Sequence, residues 1–546
     1  MRPAAAAASP TAVPLRQNPQ GVNVTLPNPL PVPTRAEAAR FLGHASLGYT
    51  AADIESVRSL GYDAWITRQF AAWRQTSHFD WMTVNRTADR QDAQNFSGEL
   101  TASVFRRFIE GRDMLRQRCT LALSEIAVTS AASDVAAYQQ FGGAAYLDLL
   151  ETHAFGNWRD LMQGISQSLM MGYYLTFKGS RKPGAAGNGS MPDENYAREL
   201  LQLFTIGLVN LNTDGTAAQP ERESYEQRDI ETLARVFTGW DQASTSGLEY
   251  WRTPMTNNGA YFDDTLKEFS ATFGLPAIPA GLGPVENLKR ALDGIFAHPN
   301  LAPFISRQLI QRFVTSNPSP AYVGRVTAAF LNNGSGVKGD MKAVLRAILM
   351  DEDLFDATGR RIGGLDTPGF GKLREPAVRF IQWARAFNVR SRSTRWNLEY
   401  ALGNLGQLPM YSPSVFNFFR PGYVPPGGGI SQTQMYGSKM VAPEFQITNE
   451  TSVVRYVSFM KAVIESGING DIYADWAPWL PKVTDPQGLV AELNVLLTAG
   501  QLGADTLQIV AEAVGSIPMA TGAQREKRIK AAALLIVSAP EFIAQK

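Results

Sequence analysis

The 546-residue chain carries a single cysteine, Cys119, and only four histidines, His44, His78, His153 and His298. One cysteine forbids an intramolecular disulfide, and so few thiols and imidazoles leave little material for a zinc cluster. The compartment stays open, because many proteins of oxidising compartments carry no disulfide. An excess of either charge is missing as well: 51 Lys and Arg face 50 Asp and Glu, for a net charge of +1. With no long like-charge block, nucleic acid is not an expected partner. No uninterrupted apolar run approaches the roughly 20 residues that span a bilayer, so no transmembrane segment is expected. Internal repeats are absent, and so are the HExxH and GxSxG patterns of named hydrolases.

What is present is apolar material, 45% of the residues, enough for a large core. Length alone is a soft prior for roughly two to four domains. Residues 1–33 are rich in Ala and Pro and lack the apolar stretch of an intact signal peptide; an extended, poorly ordered lead-in is expected there. Thr34 with Glu37, and Thr50 with Asp53, have capping-box spacing ahead of helical patterns, and Gly61 is placed to end the second. Apolar residues recur at the helical period through 112–130, 158–175, 285–298 and 302–316, and again toward the C-terminus. Alternating patterns are few and short. The expected class is all-α: one large multi-helix domain over 34–546 with long Gly/Pro-rich loops and few short strands. Residues 483–546 are a candidate semi-separate helical end.

Three long connections stand out, at 178–192, around 241–285 and at 412–429, and loops of this length are usually functional or disordered. The first carries Lys178, Arg181 and Lys182 without phosphate-loop spacing. The last, SPSVFNFFRPGY, sets Phe416, Phe418, Phe419 and Tyr423 beside Asn417 and Arg420. Such aromatics suit a carbohydrate surface, although loop aromatics more often pin the loop to the core.

Between the first two connections lies PDENYARELLQLFTIG. Projected at the helical period, Tyr196, Ala197, Leu200, Leu201, Leu203 and Phe204 take one side and Glu194, Asn195, Arg198, Glu199 and Gln202 the other. Two readings stay open. The polar side is a solvated face with a Glu194–Arg198 ion pair, or it is the wall of a cleft roofed by a long connection. In the second case Glu194 and Glu199 are candidate acid–base residues, with Asn195 and Arg198 as binding groups. His44 and His153 join them as catalytic candidates if they converge there; otherwise both are structural histidines at helix ends.

After Gly207 the run from Asn210 to Glu221 matches part of a calcium-loop template. Asn210, Asn212, Asp214 and Glu221 stand at positions one, three, five and twelve, with Gly215 at six. Asn210 replaces the usual aspartate and Pro220 abuts the last ligand, so a plain Asn/Asp/Gly turn competes with a calcium site. Asp229 and Trp240 flank another amphipathic helix, either as binding residues or as a cap and a core ring.

Several of these blocks together carry a resemblance. RFLGHASLG, LRQRCTLALSEI, HAFGNWRDL, PDENYARELLQLFTIGLVNLN, RDIETLARVFTGW, FGKLREPAVRF and SPSVFNFFRPGY resemble the bacterial family catalogued as domain of unknown function 1800, over nearly the whole chain. The resemblance implies one large helical domain and an exported, periplasmic or extracellular protein. It also implies a co-encoded partner related to phosphatases and sulfatases, and an association with polysaccharide. It supplies no reaction and no site residues. Two classes of function remain: an assembly or binding protein acting with that partner, or an enzyme acting on an envelope or extracellular polysaccharide.

Overall fold

Thr34 and Thr50 begin their helices as their spacing predicts. Thr34 Oγ1 accepts from the Glu37 amide at 3.2 Å, and the Glu37 carboxylate accepts from the Thr34 amide at 2.8 Å. Thr50 and Asp53 repeat the arrangement, each box worth about 1 kcal/mol. The helices run Arg35–Ala45 and Ala51–Leu60. Gly61, at φ 80°, ends the second and admits Tyr62–Phe70. A computed structural model describes residues 27, 29–89, 98–132, 136–185, 191–398, 403, 405–426 and 440–546, with the backbone of 16–17 and 23–24. Most of the lead-in expected to be disordered lies outside these residues; its last residues pack at 356–361, where Arg360 donates to the Val32 carbonyl.

The architecture is all-α. Among the described residues strands occur only as two-residue antiparallel pairs, one of which joins Lys372–Leu373 to Ala544–Gln545. Met114–Ile126 is buried on nearly every side and packs on Gln139–His153 and Leu301–Phe313. Pro376–Ala386 lies against Gly98–Glu110 and Pro486–Thr498. The C-terminal helices Pro486–Thr498, Ala504–Gly515 and Gly522–Val537 pack on one another. They are bound into the molecule by contacts of Pro486–Thr498 with Arg35–Ala45. One hydrophobic cluster runs from Ala38 to Phe542. No described helix is long and apolar enough to cross a membrane.

The ENYAREL segment departs from a plain helix. Asn195–Glu199 is α-helical, but Leu200–Thr205 continues as a π-helix, closed by the Ile206 amide donating to the Leu201 carbonyl. The wider turn shifts the side chains along it from their α-helical directions, so Leu203, expected inside, is only partly buried and faces a cleft. Such π turns are rare and concentrate at functional sites.

Candidate functional site

The cleft, of about 420 Å³, lies between this π turn, the end of Met114–Ile126, the helix Leu301–Phe313 and the aromatic loop. Helical spacing explains one wall: Phe304, Arg307, Gln308, Gln311 and Arg312 fall at i, i+3, i+4, i+7 and i+8, a single stripe of Leu301–Phe313. Gln202 and Leu203 form a second wall, held by Gln308 Nε2 donating to the Leu203 carbonyl. Val415, Phe416, Phe419 and Arg420 form the third. In that loop Phe419 and Asn417 are buried, and Asn417 takes the left-handed conformation at φ 62° that a short polar side chain tolerates. Phe416 stays 37% exposed, with the Arg420 guanidinium over its ring at 4.5 Å. The loop therefore divides its aromatics, one pinning it and one at the mouth.

Glu125 lies on the floor. Its carboxyl is hydrogen-bonded to that of Glu375, which requires one proton between the two. Gln407 Nε2 donates to Glu375 Oε2 at 2.5 Å and reaches Glu125 Oε1 at 3.4 Å. Arg312 Nε stands 3.6 Å from Glu125 Oε2, while its Nη2 donates to the Glu125 carbonyl at 2.9 Å. Lys372 Nζ sits 3.6 Å from Glu375 and 2.9 Å from Glu444, and Arg118 is 4.0 Å from Glu375. All seven side chains are buried. Loss of solvation pushes the Glu125 carboxyl well above the carboxylate range, and the Glu375 charge pushes the same way. Burial would raise Glu375 too, but Lys372, the Glu125 hydrogen bond and Arg118 hold it low. The pair thus shares one proton, favoured on Glu125, which lines the cleft, over Glu375, which does not. This arrangement can hold a proton beside the cleft for donation.

The residues singled out by sequence are distributed differently. His44 is wholly buried, with Nδ1 3.2 Å from Arg361 Nη2; burial, then Arg361 and Arg40, keep it neutral. His153 is half-buried at the end of Gln139–His153, and burial lowers its pKa against the pull of Asp160. Glu199 is buried, raised by desolvation with Arg198 opposing, and its Oε2 has no hydrogen-bond partner. None of the three lines the cleft, and they share no partner. Among the described residues no hydrogen bond or ion pair joins any two of them. Glu194 pairs with Arg198 at 2.9 Å, both reach Gln227, and Asn195 is exposed, so that part of the polar side is a solvated face. Only Glu199 is roofed.

Asp229 is fully buried and accepts from the Ser270 amide and hydroxyl, both at 2.6 Å, fastening its helix to the second long connection. Trp240 is a core ring whose Nε1 donates to the Val236 carbonyl. Residues 209–223 form a hairpin in which Leu211 bridges Ala217. Asn210 and Asn212 donate through their amide nitrogens to the Glu223 carbonyl and Thr216 Oγ1, Asp214 Oδ1 accepts twice from Thr216, and Glu221 is exposed. The described residues hold no group of three or more His, Cys, Asp or Glu side chains placed to bind a metal ion. Of the sequence candidates only Arg420 lines the cleft, with Asn417 buried beneath the same loop.

A family model described as "Protein of unknown function (DUF1800)" matches residues 40–544. The chain belongs to the DUF1800 family. No curated protein and no solved structure matches it. The DUF1800 match includes the floor and all three walls of the cleft. Glu125, Glu375, Lys372, Arg312 and Gln407 were not legible as site residues, although signals for some existed. Glu125 stands next to last in LRQRCTLALSEI, beside the apolar face of Leu115, Cys119, Ala122, Leu123 and Ile126. Glu375 sits at the N-cap immediately before Pro376, where a carboxylate suits the helix dipole.

Proposed function

We propose that this DUF1800 protein is an exported enzyme that cleaves an envelope or extracellular polysaccharide by acid–base chemistry, with Glu125 as general acid. The observation that carries the reading is a neutral, buried carboxyl on the floor of an open cleft, poised by an ionised neighbour. The aromatic faces of Phe304, Phe416 and Phe419, with the amides of Gln202, Gln308 and Gln311, match the apolar faces and hydroxyls of sugars. In the proposed step Glu125 gives its proton to the leaving oxygen as the glycosidic C–O bond breaks. Water adds to the sugar carbon, and its surplus proton returns to the Glu125 carboxylate. Glu375 is a positioning residue that keeps Glu125 protonated.

The test is release of reducing ends from a panel of bacterial polysaccharides by the full chain. Glu125→Gln is expected to lower turnover by about 10²- to 10⁴-fold while leaving the thermal transition in place. Retained turnover in that variant, or no cleavage by the parent protein, overturns the reading.

A second reading, assembly with the co-encoded phosphatase- or sulfatase-related protein, is favoured by one observation. Val453, Val454 and Val457 stand exposed on one face of Glu450–Ser466, with Val454 66% exposed. Copurification of the two proteins, abolished by Val454→Glu, is its expected outcome; a complex indifferent to that substitution removes it.

A further inference from the structure

The cleft has an imbalance of charge that its own residues do not correct. Arg307, Arg312 and Arg420 line it, and the only carboxyl among the lining residues, Glu125, is hydrogen-bonded to the Glu375 carboxyl and shares a proton with it. Arg312 is occupied: it donates to the Gln308 side chain and carbonyl and to the Glu125 carbonyl. The other two are not. Arg307 is exposed and makes one long bond, 3.4 Å, to the Gly215 carbonyl. Arg420 is exposed, stacks on Phe416, and is fixed through its backbone amide, which donates to Gln446 Oε1 at 2.8 Å. No carboxylate of the described residues pairs with either guanidinium. In a chain whose charges balance to +1 overall, two fork-shaped donors thus stand at one aromatic-lined opening with no carboxylate partner among the described residues.

A guanidinium in this setting is pre-organised for a planar or tetrahedral oxyanion, because its paired N–H groups match the spacing of carboxylate and sulfate oxygens. Stacking Arg420 on Phe416 fixes its plane and lowers the entropy lost when it binds. The remaining surface of the cleft, phenyl rings and primary amides, suits sugar faces and hydroxyls rather than further charge. We infer that the substrate is an acidic glycan, whose carboxylate or sulfate groups are received by Arg307 and Arg420 while the bond to be cut lies over Glu125. This rests on the acid–base reading of the same cleft and adds the class of polymer that enters it.

Binding separates the two. The probes are oligogalacturonate as the carboxylated glycan, a heparin oligosaccharide as the sulfated one, and a maltooligosaccharide of equal length as the neutral one. Each is titrated calorimetrically into the full-length Glu125→Gln protein, which reads affinity without turnover. At least one acidic probe is expected to bind about tenfold or more tightly than the neutral one, and to weaken as salt rises from about 0.05 to 0.3 M, on the order expected for two screened ion pairs. Which acidic probe wins identifies the anion. Arg307→Gln and Arg420→Gln, both at exposed positions, are each expected to weaken that binding about tenfold without moving the thermal transition. Arg420→Lys is expected to recover only part of the loss. Equal binding of the neutral probe, no binding of either acidic probe, or affinities untouched by both arginine substitutions overturns the inference. The acid–base reading stands or falls separately, on turnover by the parent protein against Glu125→Gln.

Discussion

Two buried ionic clusters lie at opposite ends of the Met114–Ile126 helix, and they have been satisfied in opposite ways. At its start, Glu151 is wholly buried and accepts four hydrogen bonds, two from Arg107, one from Arg74 and one from Gln117, at 2.8–3.1 Å. His78 Nε2 approaches the same carboxylate at 3.3 Å, and Asp113 takes a further bond from Arg107. Burial alone would raise the Glu151 pKa, but His78 and Arg107 hold it well below the carboxylate range. Each Glu151 oxygen accepts two hydrogen bonds, so that carboxylate is held as an anion. At the helix end, Glu125 has one weak donor, a distant arginine and a neighbouring carboxylate, and it keeps its proton. The first cluster is sealed; the second opens on a cleft. Burial of charge is thus not itself a functional signal, whereas incomplete satisfaction beside an opening is.

The contrast is most exposed to disproof at the sealed end. Arg107→Met leaves Glu151 and Asp113 buried without their main cation, and a loss of about 3–5 kcal/mol of unfolding free energy is expected, read by denaturant titration. A loss under about 1 kcal/mol would show that the cluster is not what anchors this region. The next largest effect is in pH. Glu151 is depressed in the folded state, so its contribution is present above the unfolded carboxylate value and is lost as pH falls through the folded one. Glu125 is raised, so its contribution is present at low pH and is lost as pH rises through its folded value. While either group is between its two values the slope is about 1.4 kcal/mol per pH unit. Glu125→Gln is expected to flatten the alkaline side of a stability–pH profile and leave the acid side unchanged; the reverse pattern would exchange the roles of the two clusters.

At neutral pH the same substitution, Glu125→Gln, is expected to change stability by less than about 1 kcal/mol, since an amide supplies the hydrogen-bond donor that the neutral carboxyl supplies now. A far larger loss would mean that the carboxyl is ionised. Smallest of all is Asp214→Ala in the hairpin, expected to cost about 0.5–1 kcal/mol through its two bonds from Thr216. Melting curves of that variant and its parent should differ equally with calcium and with chelator; a calcium-dependent gap would put an ion at the hairpin, as the spacing suggested.

The fold was largely legible because its determinants are local. Capping pairs at Thr34 and Thr50, the stop at Gly61 and the helical recurrence of apolar residues depend on neighbours within a few positions. The cleft was not, because it is assembled from distant ones: Glu125, Glu375 and Gln407 meet across 282 positions of chain. The period of 3.6 residues also failed at Leu200–Thr205, where the π turn brings Leu203 to the cleft wall. Sequence drew attention to the aromatic loop and to PDENYARELLQLFTIG, and the loop and the far end of that run, at Gln202, Leu203, Ile206 and Gly207, border the cleft. It favoured Glu199 over Glu125 because Glu199 sits among exposed-looking polar neighbours, while Glu125 is masked by leucines and alanines. What distinguishes them is which one the rest of the chain leaves beside an opening.

The pairing of Lys372–Leu373 with Ala544–Gln545 has a consequence for synthesis. Gln545 Nε2 donates to the Phe313 carbonyl, and the Arg374 amide donates to that of Ile543. The segment that carries Lys372 on its strand and Glu375 at the following N-cap is therefore clasped by residues made about 170 positions later, a closure costly in chain entropy. A ribosome-bound chain ending short of 545 lacks this clasp. The segment that carries Lys372 and Glu375 is therefore expected to be fastened only once residues 543–545 have been added.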